Sequence, residues 1–169
     1  MSGKAAVASD AAPDRDTGES IKDALQQTLE EARMVMPGVQ ALFGFQLIAV
    51  FNERFARVLS EREQSMHLAA IVLVTIAIAL VMTPAAYHRQ VEPRRATAGF
   101  LVLASRLVSG AMLPLAVGLA IDVYLIARVI TDAPRLSAAL GVAVLAMFVV
   151  LWFGFPQWRA MQARRAAPR

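Results

Sequence analysis

Cysteine is absent from the chain, so disulfides, thiolate metal sites and thiol nucleophiles are all excluded. Histidine is also scarce, with two in 169 residues, and neither belongs to a His/Asp/Glu cluster at metal-ligand spacing. No glycine-rich phosphate-binding loop is present. The sequence therefore predicts no metal, no cofactor and no catalytic residues, and we expect the protein not to be an enzyme.

Charged residues are few and avoid the long apolar runs. They make up 18% of the chain against 57% hydrophobic residues, whereas soluble domains usually hold about 45–50% apolar residues. Apolar residues concentrated in long runs are typical of membrane-spanning helices. The net charge of +4 would suit nucleic acid, but no basic stripe is interleaved with aromatic residues. Arginines that flank apolar runs instead predict contact with anionic lipid headgroups, so the predicted partner is the lipid bilayer.

Four apolar runs within 34–158 predict an all-α transmembrane bundle of four helices. The spans are predicted at about 34–52, 67–87, 107–127 and 136–155. The first span is the weakest because Gln40 and Gln46 interrupt it, whereas the second contains a long stretch without charge. The third belongs to an apolar stretch longer than the roughly 30 Å of a bilayer core, so only its middle is assigned to the membrane.

The segments outside the spans are predicted as two tails and one further helix. Residues 1–19 are small and polar and predict a disordered cytoplasmic tail, without the apolar core of a cleavable signal peptide. Over 20–33, apolar residues recur at helical spacing behind Ser20 and Asp23, which have the pattern of a helix cap. This predicts an amphipathic helix, either at the cytoplasmic headgroup level or packed on the cytoplasmic ends of the bundle. Residues 159–169 predict a basic cytoplasmic tail.

Local signals also predict how the helices are connected. Phe55 and Leu59 continue the apolar spacing of the first span, so we expect that helix to project beyond the bilayer. Ser60 followed by Glu63 has the spacing of a capping box, which predicts the start of the next helix. Residues 131–134 include a proline and predict the turn before the last span.

The distribution of basic residues predicts the orientation. More Lys and Arg fall on the side that holds both termini than on the other side. The last of them follow the fourth span and are Arg159, Arg164, Arg165 and Arg169. The positive-inside rule then places both termini in the cytoplasm. Frequent Ala and Arg indicate a GC-rich bacterial genome, so the predicted location is the bacterial cytoplasmic (inner) membrane, crossed several times.

Asp122 is the one acidic residue well inside a predicted span. It lies about 7.5 Å along the helix from the outer end of that span. In the predicted orientation Asn52, Arg54 and His67 fall at the same level on the first two spans, and the four residues form a candidate intramembrane polar or ion site. An intramembrane acid is either a proton or cation site or half of a structural pair between helices. We favour the structural pair because no polar chain crosses the membrane.

A second polar cluster is predicted near the cytoplasmic ends of the first three spans. Its members are Glu31, Arg33, Gln40, His88, Arg89 and Arg106. We expect Gln40 to find an interhelical hydrogen-bond partner, and the first helix to bond to the end of the second span around His88. The alternative is that these side chains anchor the helices among lipid headgroups.

The third span carries a row of residues at a spacing of four. The row consists of Arg106, Gly110, Pro114, Gly118 and Asp122. About 24 Å of helix separates the two charged ends, so they are not expected to pair with each other. The proline is expected to kink the helix, and the small residues predict close helix approach within the bundle or in a homodimer.

Two stretches resemble a known family. They contain Glu31-x-Arg33, Pro37-Gly38-x-Gln40 and Gly44-Phe45-Gln46 in the first span, and Met82-Thr83-Pro84-Ala85-Ala86-Tyr87-His88-Arg89 at the end of the second. The combination is similar to a family of small bacterial four-helix integral membrane proteins of unknown function, over roughly 20–160. Some members of that family carry an automatic sodium:proton antiporter label. The resemblance implies architecture and location, and leaves the function open.

Two functions are therefore considered. The first is a non-enzymatic accessory or scaffold protein of the membrane. The second is a dimeric proton-coupled cation antiporter, with Asp122 as the carrier and His67 or His88 in the relay. Four spans suffice for transport only when two subunits build the pathway. A water-accessible cavity that reaches Asp122 would favour transport, and a dry pair would favour the scaffold.

Overall fold

The computed structural model describes residues 12–91 and 97–166, and the regular secondary structure in these ranges is helical throughout. The elements are α1 (Ala12–Ala49), α2 (Glu53–Val58), α3 (Glu61–Val91), α4 (Ala98–Thr131), α5 (Pro134–Val149), a π-helical turn (Val150–Gly154) and α6 (Phe155–Ala166). The predicted all-α class is confirmed.

Helix α1 joins regions that were predicted as separate elements. It begins at Ala12, inside the predicted tail 1–19, and runs without a break through the amphipathic stretch 20–33. Ser20 therefore lies within the helix rather than at its start. Once a helix is under way each residue adds a hydrogen bond without a new nucleation cost, so the local cap signal does not interrupt it. The rest of the predicted tail, 1–11, lies outside the described residues.

Three helices in the described ranges are long and apolar enough to cross a membrane. They are α3, α4 and the continuous helix Pro134–Arg165, which is made of α5, the π-helical turn and most of α6. These helices contain the predicted second, third and fourth spans. The predicted basic tail, which was to begin at residue 159, is helical through Ala166.

The predicted first span is not one of these three helices. Helix α1 ends at Ala49, before the apolar Val50 and Phe51. A membrane-length stretch at its C-terminal end therefore has to include the charged residue Arg33 together with two glutamines. These polar groups reduce the hydropathy of α1, although its apolar residues lie in the predicted place.

The connections at one end of the bundle are held by caps. Instead of projecting outward, α1 is followed by a turn, and Asn52 caps the short α2 by accepting a hydrogen bond from the Arg54 amide at 2.9 Å. At the start of α3 the Ser60 amide donates to Glu63 Oε2 at 3.0 Å, and the Glu63 amide donates to Ser60 Oγ at 3.4 Å. This reciprocal pair confirms the predicted capping box. Asp132 adopts a left-handed conformation, φ 49°, in the predicted turn before α5.

Small residues allow the helices to approach closely. A Cβ atom added at Gly118 of α4 would lie 3.1 Å from Val74 Cγ2 of α3. One added at Gly141 of α5 would lie 3.1 Å from the Ala120 carbonyl oxygen of α4. A Cβ atom added at Gly110 would meet no atom within 4 Å, so of the two glycines in the predicted row only Gly118 lies at a close approach to another helix. Helix α4 thus packs against α3 on one side and α5 on another, and α1 packs against both α3 and α4.

Candidate functional site

Asp122 lies buried where α1, α3 and α4 meet. The Gln46 side chain of α1 donates a hydrogen bond from Nε2 to Asp122 Oδ2 at 2.7 Å. His67 Nδ1 of α3 lies 3.6 Å from Asp122 Oδ1. Asp122 is 7% exposed, Gln46 3% and His67 5%, so all three side chains are largely shielded from solvent. The predicted proximity of Asp122 and His67 is present in the structure.

The orientation of His67 is fixed from both sides of its ring. Its Nε2 lies 2.9 Å from the Gln46 carbonyl oxygen. Because a carbonyl oxygen only accepts, Nε2 carries the hydrogen of this bond. The ring also meets Phe55 of α2 edge-on, with centroids 5.1 Å apart. The imidazole is therefore held by α1 and α2 while its second nitrogen is directed toward the carboxylate.

A cavity of about 290 Å³ reaches this pair, and Asn52 and Arg54 line it as well. All four residues of the predicted intramembrane site thus border one space, whose other walls are mostly apolar side chains of α4. Asn52 uses its side chain to cap α2, and Arg54 forms no ion pair among the described residues. Of the basic residues in the predicted site, His67 therefore lies close to Asp122, whereas Arg54 forms no ion pair with it.

A second buried polar group is centred on Glu63, about one turn of α3 before His67, and it was not predicted as a site. Glu63 of α3 accepts hydrogen bonds at Oε1 from Arg128 Nε at 2.6 Å and from Tyr124 Oη at 2.9 Å. Its Oε2 accepts from the backbone amide and the hydroxyl of Ser60. Arg128 also donates to Asp132 Oδ1 at 3.2 Å. The carboxylate therefore connects the α3 cap to α4 by a buried salt bridge.

The sequence contained a partial signal for this group. Tyr124 and Arg128 are four residues apart and so share one face of α4, and Glu63 and His67 have the same spacing on α3. Glu63 was interpreted only as part of the capping box, and neither Tyr124 nor Arg128 was assigned to a site. Gln46 was interpreted as an interruption of the first span and as part of the motif that resembles the family. Which helix each of them faces depends on packing, which the spacing does not specify.

The predicted cytoplasmic cluster is brought together only in part. Arg33, Gln40, His88 and Arg89 line a cavity of about 380 Å³ between α1 and α3. Glu31 does not line this cavity and accepts a hydrogen bond from Gln27 at 3.5 Å on its own helix. Arg106 is exposed on α4 and lines neither this cavity nor the one at Asp122.

The expected interhelical bond of Gln40 is not formed. Gln40 is exposed and has no hydrogen-bond partner among the described residues. The glutamine that does bond across helices is Gln46, six residues further along α1. Successive residues turn an α-helix by about 100°, so six residues place the two side chains on widely different faces.

The seam between the two polar ends of α3 and α4 is apolar. It is occupied by buried small side chains, namely Ala70, Val74, Ala77, Ala111 and Ala116. The described residues therefore contain no chain of buried polar side chains that links Asp122 to His88. Within residues 12–91 and 97–166, no group of three or more His, Asp or Glu side chains is placed to hold a metal ion.

A family model described as a family of unknown function (DUF6328) matches residues 16–156, which is most of the chain. No curated protein and no solved structure matches the sequence.

Proposed function

We propose that this protein, which belongs to the DUF6328 family of unknown function, is a four-span protein of the bacterial cytoplasmic membrane with a non-enzymatic accessory or scaffold role. Both termini lie on the cytoplasmic side in this proposal. The observation that carries it is the buried polar network at one end of the bundle, in which charged and amide side chains from three helices bond one another.

The packing of α1 supports its assignment as the first of four spans. Leu25 is buried in one cluster with Phe100 and Ala104 of α4, and Gln46 bonds Asp122 near the other end of that helix. The 21 steps from Leu25 to Gln46 correspond to about 32 Å of helix. Helix α1 therefore runs beside α4 along most of the length of the bundle, although its own hydropathy is lower.

The bonding of the two buried carboxylates supports the scaffold role. Asp122 bonds Gln46, and Glu63 bonds Arg128, Tyr124 and Ser60, so both buried carboxylates have partners within the bundle. In a low-dielectric environment an unpaired polar group is costly, so these bonds hold α1, α3 and α4 at fixed depths and rotations. Such an arrangement favours a rigid structural element.

The antiporter is the second candidate, and one observation favours it. Asp122 and His67 line a cavity, so a protonatable pair borders a space that a cation or water would need. Within the described part of one protomer the seam beyond this pair is apolar, so a pathway would require a second copy. The exposed face of α4 around Gly110 offers room for one.

Single-cysteine labelling tests the topology, because the natural chain contains no cysteine. Arg57→Cys on exposed α2 and Asp132→Cys in the α4–α5 turn should react with an impermeant maleimide in intact cells. Gln27→Cys and Arg165→Cys should react only after permeabilisation. If Gln27→Cys and Arg57→Cys label from the same side, α1 does not cross the membrane and the four-span proposal is wrong.

Proteoliposomes test the choice between the two functions. Vesicles that contain the purified wild-type protein should show no cation-driven proton flux beyond that of protein-free vesicles. Flux that is present in the wild type and absent from Asp122→Asn would overturn the scaffold role and establish the antiporter. The labelling experiment on the same preparation confirms that the protein is inserted in its native orientation.

A further inference from the structure

The cavity between α1 and α3, at the end of the bundle opposite Asp122, is lined by basic and amide side chains together with apolar ones. Its polar lining residues are Arg33 and Gln40 from α1 and His88 and Arg89 from α3, and we call it the basic cavity. Among the described residues, no acidic side chain lines it. With about 380 Å³ it has the volume of a small-molecule site.

The polar groups of the basic cavity form few bonds with the described residues, and Arg33, Gln40 and Arg89 are exposed. Arg33 and Arg89 form no ion pair with any described residue, in contrast to Arg128 at the other end. His88 Nδ1 is buried without a hydrogen-bond partner. The His88 ring stacks on Phe100 with centroids 5.7 Å apart, so the ring is positioned from its face while its nitrogen stays unbonded. A buried polar nitrogen without a partner is costly and calls for a ligand or an ordered water.

The chemistry of these groups selects an anion with several oxygens. Two guanidinium groups offer forked donors that match phosphate oxygens in pairs, and the Gln40 amide offers a further neutral donor. The remaining walls, which include Met36, Val81 and Met82, are apolar. The site thus presents positive charge and apolar surface together, as a lipid headgroup with its attached glycerol requires.

A neighbouring space distinguishes a lipid from free phosphate. A second cavity of about 300 Å³ shares Ala32, Met36 and Val81 with the basic cavity and extends to α4 and Trp152. Its lining is apolar apart from Glu31. Free phosphate in the basic cavity would leave this apolar space unfilled, whereas the acyl chain of a bound lipid would extend into it.

We propose that the basic cavity binds the phosphate-bearing headgroup of an anionic phospholipid. This proposal rests on the membrane location proposed above, since the ligand is supplied by the bilayer. Arg33 and Arg89 pair with the phosphodiester oxygens, while Gln40 and His88 hydrogen-bond the headgroup. The ligand joins α1 to α3 at the end of the bundle where the described residues form no direct ion pair between these helices.

Native mass spectrometry of the full chain in mixed micelles tests the proposal. The probes are phosphatidylglycerol and, as the zwitterionic reference, phosphatidylcholine, each titrated at a fixed detergent concentration. The wild type should retain one phosphatidylglycerol in preference to phosphatidylcholine. Arg33→Gln/Arg89→Gln should weaken phosphatidylglycerol binding about tenfold or more, because two charge-assisted contacts are lost. Equal binding of the two lipids by the wild type would overturn the proposal.

Arg106→Gln is the matched control. It removes one positive charge from the same half of the bundle at a position that lies outside the basic cavity. Its phosphatidylglycerol binding should stay within about twofold of the wild type, since diffuse attraction of exposed charges is weak and screened by salt. If Arg106→Gln weakens binding as much as Arg33→Gln or Arg89→Gln alone, the preference is general electrostatics and the assigned site is wrong.

Two further measurements separate the other outcomes. Inorganic phosphate alone, measured by calorimetry, should not bind at millimolar concentration, and binding there without a lipid preference would identify a soluble phosphate as the ligand and overturn the headgroup assignment. Cysteine labelling of the wild type and the variants reports membrane insertion. Equal binding of the two lipids by a wild-type protein with the proposed topology therefore contradicts only the cavity assignment and not the proposed membrane location. Should the double Gln variant fail to fold, Arg33→Lys/Arg89→Lys keeps the charges and removes the forks, and unchanged binding there would contradict the pairing.

Discussion

Substitution of Asp122 measures how strongly the buried network holds the helices together. Asp122 accepts a hydrogen bond from Gln46 at 2.7 Å and faces His67 Nδ1 at 3.6 Å, with 7% of the residue exposed. Asp122→Asn keeps the size of the side chain and one carbonyl oxygen for Gln46, and removes the charge. Asp122→Leu removes the acceptor as well and leaves the Gln46 amide without a partner.

The expected magnitudes follow from these contacts. A hydrogen bond to a charged group contributes about 1.5–3 kcal/mol and one between neutral groups about 0.5–1.5 kcal/mol, so Asp122→Asn should cost about 1–2 kcal/mol. Asp122→Leu should cost about 2–5 kcal/mol, because a stranded buried amide adds about 1–3 kcal/mol to that loss. Interhelical hydrogen bonds in membrane proteins average about 0.6 kcal/mol, so a network of only average strength would give losses below both ranges.

Equilibrium unfolding by SDS in mixed micelles, followed by far-ultraviolet circular dichroism, provides the free energies. Asp132→Asn is the control, since the Asp132 side chain is 88% exposed in the turn after α4, and it should not change stability measurably. The expected order is wild type, Asp122→Asn and then Asp122→Leu. An increase in stability for Asp122→Asn would refute the reasoning, because it would mean that the carboxylate is held at a cost, as a transport site requires.

Two further predictions concern packing and the second polar group. Gly141→Ala should destabilise the bundle by about 1–3 kcal/mol in the same titration, because the new Cβ would lie 3.1 Å from the backbone of α4. Gly110→Ala, with no atom within 4 Å, should be neutral or slightly stabilising, and equal losses at both glycines would contradict the packing argument. Glu63→Gln should lower the melting temperature in detergent more than Glu53→Gln, because Glu63 forms a buried pair with Arg128 whereas the side chain of Glu53 is 82% exposed. Differential scanning fluorimetry checks the ranking, and a larger effect at the exposed position would be inconsistent with it.

The features that could be predicted from sequence are local ones. The capping box at Ser60 and the turn before Pro134 depend on residues within a few positions of each other, and both are present. The helix break after Ala49 was missed. The apolar spacing of Phe55 and Leu59 predicted a continuing helix, whereas the Asn52 side chain caps a new short helix there.

The candidate site could be predicted only in part from local sequence information. The depth of Asp122 and His67 followed from the rise per residue along their helices, and the structure places them 3.6 Å apart. Their closest amide partner was not predicted, because depth does not specify the rotation of α1 about its axis. Rotation places Gln46 in the protein interior and leaves Gln40 exposed, although both interrupt the same apolar run.

The sequence by itself determined that the protein is all-α and that three of its helices are apolar and of membrane length. It also determined the height along each helix at which the polar residues lie. These properties are sums over neighbouring residues, and neither hydropathy nor helical rise depends on what packs nearby. Only the tertiary structure decided that α1 is one continuous helix beside α4, that Glu63 pairs with Arg128, and that four of the six cytoplasmic cluster residues share a cavity. Those outcomes depend on helix rotation and offset, which are set where small residues such as Gly118 allow close approach between distant parts of the chain.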